Sequence, residues 1–419
     1  MSEWSAITNE SWNSRLKASV PWGSSTSSKA PGLMPEEPAV IVKGQGCRVW
    51  DAEGRSFIDF RNGLGPITLG YQYPDVDEAI RAQLSNGIIF GHPHPLEAEV
   101  AELLCEVIPC AEQARFLKTG GEALAAAIRI ARAYTGRDHI IQVGYNGWVN
   151  TLGSGGLSLP GVQSSGSSIP GVPAALTALH HVARWNDVVG LEQLLDAYTG
   201  QVAAVVIAAD YVGMAAGAQY YPAVRELTRK HGTLLVYDEI VTGFRMALGG
   251  IQEYFGVTPD LAVFSKGMAN GMPISAYVGR KEVMSVVKPG GAVVSSTFGG
   301  ETLSLAAVKA AVNVYRTQNV IDHIWKQGEA MWTGLNERFA RHGIALEMKG
   351  MFPCPSITTK PGAEDGLTNR FLREAYRQGV SLYNVSYVNF SHKEADIAEA
   401  LDRLDEACRN VAAVQLGQG

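Results

Sequence analysis

Through the middle of the chain, short apolar runs alternate with stretches of helical spacing. The runs at 139–145 (HIIQVGY), 203–209 (AAVVIAA), 234–240 (LLVYDEI) and 261–265 (LAVFS) are apolar at consecutive positions, as strands covered on both faces are. Helical segments such as YPAVRELTRKHG separate them. The strongest helix is EALAAAIRIARAYTGR, rich in alanine, with Glu122 in its first turn and Gly136 just past its last apolar residue. This order predicts an α/β fold with a largely parallel sheet wrapped by helices. Upstream, AVIVKGQG and CRVWDAEGRSFIDF read as short strands broken by a turn at 51–54. HPLEAEVAELLCEVI then reads as a helix, and ARFLKTGG as a strand running into glycines.

Past about residue 305 the pattern changes to long helices, LSLAAVKAAVNVYRTQ and DHIWKQGEAMWTGLNERFARHG, followed by two or three strands and a final helix. A chain of 419 residues exceeds what one core supports, so more than one domain is expected. The boundaries read from the pattern are an N-terminal segment over 1–65 (an arm and part of a small domain), a large domain over 66–305 and a C-terminal small domain over 306–419. Two loops stand out. The stretch 21–38 is rich in Ser, Pro and Gly, and 151–173 (TLGSGGLSLPGVQSSGSSIPGVP) is too long for an ordinary connection, which makes it a lid or a linker, with the lid favoured because it sits inside the large domain.

Composition narrows the class. Hydrophobic residues are 46% and charged residues 18%, as in soluble globular proteins, and the net charge of −6 offers no basic field for nucleic acid or a membrane surface. Five scattered cysteines without a C-x-x-C pair suit reduced thiols in the cytoplasm. No apolar run reaches spanning length, and the opening residues lack the apolar core of a signal peptide.

The chemistry begins with Asp238 and Lys266, which stand 28 positions apart, each just past an apolar run. Ligands of open parallel sheets bind outside the carboxyl ends of the strands, and a strand–crossover–strand of that length brings both charges to one crevice. A salt bridge, a helix cap at Asp238 and an ordinary surface lysine are the plainer explanations. A third feature favours chemistry: in KTGGEALAAA a strand meets glycines and then a helix N-terminus, which is a ready anion seat. Anion seat, carboxylate and lysine together meet the needs of pyridoxal 5'-phosphate, with Asp238 on the ring nitrogen and Lys266 on the aldehyde as a Schiff base. His92 and His94 in GHPHP read as a proline-bound turn, so no metal is expected. The Gly-x-Gly of RNGLGPITLG lacks the layout of a dinucleotide site.

Five motifs in order resemble the class III aminotransferase family of fold type I pyridoxal-phosphate enzymes: TGGEA (119–123), GYNGW (144–148), YDEIVTGFR, FSKGMANGMPISAYVG and STFGGETLSLAAVKA (296–310). Within it, PWGSSTSSK and the loop ending in PGVP are most similar to glutamate-1-semialdehyde aminomutases. The resemblance implies that Gly120 and Gly121 give backbone N–H groups to the phosphate beside Thr119. Tyr145 stacks on the ring with Asn146 next to it, and Ile240 presses on the opposite face. Thr297 reaches the phosphate of a neighbouring subunit, which implies a homodimer, and Ser25, Thr26 and Lys29 face the substrate.

Three departures bear on the reaction. Asn146 stands where the family carries His. Ala208-Ala209 replaces a Glu-Pro whose glutamate pairs a switching arginine in relatives that accept 2-oxoglutarate. Lys29 stands where aminomutases place an arginine, and keeps its charge without the bidentate fork. The expected activity is therefore transfer of an amino group between a small amine or amino acid and a carbonyl acceptor. The rivals are an aminomutase or epimerase on the same scaffold, and a non-catalytic cofactor sensor.

Overall fold

The computed structural model describes residues 7–148 and 171–416; the lid or linker read at 151–173 lies, apart from 171–173, outside the described residues. The chain forms two units, one of residues 1–73 with 322–419 and one of residues 74–321, so the helix Thr302–Thr317 groups with the larger unit. That helix packs on the helices Pro74–Leu84 and Pro95–Val107. Apolar spacing identified the helix. Which unit it joins is set by the face it shares with partners more than 200 residues earlier.

In the first unit β1 (Ile41–Gln45), β2 (Arg48–Asp51) and β3 (Ser56–Asp59) form an antiparallel meander. The turn after β2 is fixed by Asp51, whose Oδ1 accepts from the N–H groups of Glu53 (3.0 Å) and Arg55 (2.9 Å), with Gly54 at φ +85°.

The second unit contains β4 (Gln113–Leu117), β5 (His139–Val143), β6 (His180–Ala183), β7 (Val202–Ala208), β8 (Leu234–Asp238), β9 (Leu261–Phe264) and β10 (Ser275–Gly279). They lie in the order β4-β10-β9-β8-β7-β5-β6. From β9 to β6 every pairing is parallel, while β10 runs antiparallel to both β9 and β4. Every residue of β7, β8, β9 and β10 is buried, which is why the central strands read as unbroken apolar runs instead of alternating ones. The helix Gly120–Thr135 lies on this sheet through Ala123, Leu124, Ala127, Ile130 and Ala131, all buried. Its small residues permit close approach, and Gly136 ends it at φ +68°.

Returning to the first unit, β11 (Leu346–Lys349) and β12 (Ser356–Thr359) pair antiparallel, and β13 (Val380–Ser381) adds to β3 in parallel. The core beneath them joins Ile58 and Phe60 from β3 and its exit to Trp332, Phe339, Phe371 and Leu404 from three helices.

Candidate active site

Asp238 is the last residue of β8 and Glu239 follows it, so two carboxylates are buried side by side at the carboxyl end of the sheet. Their surroundings differ. Glu239 accepts from Thr242 Oγ1, from the N–H groups of Ile251 (2.9 Å) and Gln252 (3.1 Å), and from Gln252 Nε2 (3.4 Å). It braces the loop that follows, and Gly250 is required there because a Cβ would lie 2.1 Å from its carboxylate. Asp238 accepts from the N–H of Ile240 at 3.0 Å. Burial pushes its pKa up to about 7, against the pull of that N–H and of the Lys266 ammonium. Asp238 is thus a carboxyl that gains from any further cation placed before it.

Lys266 opens the 3₁₀ turn Lys266–Ala269 directly after β9, half-buried, with φ +44°. A non-glycine backbone held in the left-handed region needs neighbours that fix it. Ser265 Oγ donates to the carbonyl of Ile274 (2.7 Å), Met268 N–H to that of Ser265 (3.0 Å), and Tyr315 hydroxyl to that of Gly267 (2.5 Å).

The helix Gly120–Thr135 opens with a complete capping box. Thr119 Oγ1 accepts from Glu122 N–H at 3.3 Å, and Glu122 Oε2 accepts from the N–H of Thr119 at 2.7 Å and that of Lys118 at 3.2 Å. Thr119 is also pinned through its carbonyl, which accepts from Ser275 Oγ at 2.8 Å. Two donors remain: among the described residues, the N–H groups of Gly120 and Gly121 have no acceptor. At Gly120 a Cβ would lie 2.4 Å from Ile240 Cδ1, so glycine lets the helix start settle on Ile240.

Beyond β5, Gly144 (φ +75°) and Gly147 (φ +77°) turn the chain, and a Cβ on Gly147 would lie 3.7 Å from Gly121 Cα. Tyr145 between them is 49% exposed, and burial of its hydroxyl, with the Asp238 carboxylate adding to it, pushes its pKa up. Asn146 is buried, and its Nδ2 donates to the carbonyls of Val143 and Gly144, both at 3.2 Å. It braces the turn that carries Tyr145. Ala208 packs under Gly144, with its carbonyl 2.9 Å from where a Cβ there would be.

One end of the sheet therefore gathers Gly120, Gly121, Tyr145, Asp238, Ile240 and Lys266. Thr297 lies in an exposed turn of the same unit. Ser25, Thr26 and Lys29 are exposed residues of the first unit, and Lys29 closes the 3₁₀ turn Ser27–Lys29.

Several supports escaped the sequence reading. The capping box had a visible signal in Thr-x-x-Glu at 119–122. Ser275 on Thr119 and Tyr315 on Gly267 had none, because they join positions far apart in the chain. His94 caps the helix Pro95–Val107 through Nδ1, which accepts from Leu96 N–H at 3.2 Å.

A family model for aminotransferase class-III matches residues 33–408. Glutamate-1-semialdehyde 2,1-aminomutase 1 of Lachnoclostridium phytofermentans is 30% identical over 408 residues, covering 92% of this chain and 95% of its own. Among solved structures, a transaminase with PLP bound superposes with a TM-score of 0.86 at 27% identity, covering 97% of this chain and 99% of its own. An omega-transaminase from Sphaerobacter thermophilus superposes with a TM-score of 0.86 at 26% identity, covering 96% and 97%. The sheet end that collects a lysine, a buried carboxyl and two unpaired amides is thus set in a chain matched along nearly its whole length, and the chain belongs to the class III aminotransferase family.

Proposed function

We propose that this enzyme moves an amino group between a small amine or amino acid and a carbonyl acceptor, with Lys266 and Asp238 as its catalytic pair. The single observation that carries the reading is the placing of a buried Asp238 at the end of β8 and of Lys266 directly after the parallel β9, at the same carboxyl end of the sheet. The enzyme is pyridoxal-phosphate-dependent, and its residues fit that cofactor. The unpaired amides of Gly120 and Gly121 are an anion seat at the start of a 16-residue helix. Asp238, short of donors, suits a protonated ring nitrogen. Tyr145 and Ile240 supply the two faces between which a ring would lie. Thr119 and Asn146 hold the two turns in shape from behind.

When bound, pyridoxal 5'-phosphate supplies an aldehyde for the amine and a cationic ring that draws electron density from the carbon losing its proton. Lys266 would hold that aldehyde, and its Nζ, when free, would take the proton from the substrate carbon and return it elsewhere. Asp238, as carboxylate, would hold a proton at the ring nitrogen. Ser25, Thr26 and Lys29 bind the substrate, Lys29 as the partner of a carboxylate.

A homodimer accompanies this reading. Thr297 lies next to Phe298, which is 58% exposed, and the exposed run Ile88, Ile89 and Phe90 is tied nearby through Thr302 N–H to the carbonyl of Ile88 at 2.9 Å. Such an apolar surface suits a second copy, with Thr297 reaching the partner's phosphate. A cytoplasmic location rests on five free thiols. Among the described residues no helix is long and apolar enough to cross a membrane.

An aminomutase or epimerase is the second reading, favoured by the aminomutase relative at 30% identity. The test is to load the purified protein with cofactor and follow its absorption as amines and amino acids are added singly. A transferase bleaches to the aminated cofactor, releases an oxo product and then needs an added acceptor, whereas an isomerase completes its cycle on one substrate. A spectrum unmoved by every candidate contradicts both.

A further inference from the structure

Lys118 stands between the end of β4 and the helix Gly120–Thr135, one residue before the capping threonine. Its backbone N–H belongs to that helix start, through Glu122. Its side chain belongs to another. Nζ donates to Glu301 Oε1 at 2.8 Å and to Ser304 Oγ at 3.4 Å, and the two charged side chains are only 18% and 10% exposed. Glu301 is the N-cap of the helix Thr302–Thr317: its Oε1 also accepts from the N–H of Ser304 and its Oε2 from that of Leu303, both at 3.0 Å. Burial works to raise the pKa of Glu301, but the Lys118 ammonium and the Ser304 donors outweigh it and hold the group below the ordinary glutamate value. The pair thus fastens two 16-residue helices to each other at their N-termini.

The turn before Glu301 rests on the end of β4, where a Cβ on Gly299 would lie 2.5 Å from the Phe116 carbonyl oxygen. Ser304 Oγ donates in turn to the carbonyl of Pro273 (3.3 Å), two residues before the Ser275 that holds the Thr119 carbonyl. Gly120 and Gly121 have no side chain by which to be held, so the direction of their two N–H groups depends on what fixes the residues beside them. On the strand side those are Thr119, pinned by Ser275, and Lys118, pinned by Glu301. A buried ion pair adds little to overall stability, because desolvation offsets most of the attraction, whereas it does select one geometry. We infer that Lys118 and Glu301 are positioning residues for the phosphate seat, fixing the amides of Gly120 and Gly121 so that the enzyme prefers the phosphorylated cofactor over its dephosphorylated form. This rests on the reading of those two amides as the seat.

The test titrates the cofactor-free enzyme with pyridoxal 5'-phosphate and, separately, with pyridoxal, both followed by absorbance. The ratio of the two dissociation constants isolates the seat, since the ligands differ by the phosphate alone. The parent should favour the phosphorylated form. Lys118→Met keeps the stem without the charge and should cut that preference roughly fivefold. Glu301→Asp keeps the helix cap and the negative charge but is too short to reach Lys118 Nζ, and should cut it by a similar factor. The double variant should fall no further, because both changes remove one interaction. Lys118→Arg, which keeps reach and charge, should retain most of the preference. If Lys118→Met does not fold, Glu301→Asp and Lys118→Arg decide the matter. If Lys118→Met cuts the preference and Glu301→Asp does not, the lysine acts by its charge and the positioning role is overturned. It is overturned too if the variants weaken both ligands equally or leave the ratio untouched. A parent that binds both ligands equally well would remove the seat reading and the pair with it, whereas a preference lost in Gly120→Ala but kept in the Lys118 and Glu301 variants spares the seat and removes the pair alone.

Discussion

At the amino end of β8 and β9, Asp260 accepts from Arg225 Nη1 (2.7 Å) and Nη2 (3.1 Å) and from the N–H of Leu235 (2.8 Å), and Arg280 Nε stands 3.2 Å away. At the carboxyl end of the same strands, Asp238 accepts from the N–H of Ile240 and faces a lysine in a left-handed turn. One carboxylate is saturated with donors and the other is starved of them. The first arrangement ties β8 to β9 and to the exit of β10, so it serves stability. The second raises a pKa and leaves a charge to be completed by a ligand, as a site prepared for chemistry requires. Even within the active end the contrast recurs, because Glu239, one residue on, is satisfied by its own loop.

If that division is real, substitutions at the two ends must fail in different ways. Asp238→Asn should lower kcat by about 10³-fold, since the ring nitrogen loses its ionic partner, while the thermal midpoint of the cofactor-free protein stays at or above that of the parent; steady-state kinetics and calorimetry read both. Asp260→Asn should do the reverse. It leaves Arg225 buried without its partner and should cost about 3 kcal/mol in denaturant unfolding, with kcat of the folded enzyme unchanged. A smaller effect is expected at the anion seat. Gly120→Ala drives a methyl against Ile240 and should weaken cofactor affinity roughly tenfold by moving the two amides, as measured by equilibrium titration of the cofactor-free protein.

The smallest effect is a pH slope. Asp238 has a folded pKa raised to about 7, so its contribution to the cofactor-free fold is fully present below its unfolded value and is lost as pH rises through about 7. Glu239, also raised to about 7 by burial, adds a slope of the same sign. The thermal midpoint of the cofactor-free protein should therefore fall between pH 5 and 8, less steeply in Asp238→Asn. Adding cofactor should flatten the slope, because a ring cation returns Asp238 to its ionised form. An identical slope in parent and variant would remove Asp238 as its source.

Much of the active end was legible in the chain because its residues sit at punctuation marks. Asp238 ends one buried strand and Lys266 comes just after another, and Gly120 and Gly121 open the helix that follows β4. The amino end was not legible, since Asp260 is joined to Arg225 and Arg280 only after the strands are in register. The strand β10 was hidden for a related reason. Its residues SAYVG come close after the lysine turn and run antiparallel, outside the alternating rhythm that marks the parallel strands. Arg61 pairs with Glu37, 24 positions earlier, and also donates to the carbonyl of Ser28, and backbone acceptors leave no trace in a sequence.

The most direct measurement is reduction of the cofactor-loaded enzyme with borohydride followed by peptide mass analysis. The peptide containing Lys266 should carry the mass of a reduced pyridoxyl phosphate, and Lys266→Ala should show no such adduct and no amine turnover while remaining folded. An adduct on another lysine, or turnover that survives in Lys266→Ala, would contradict the account.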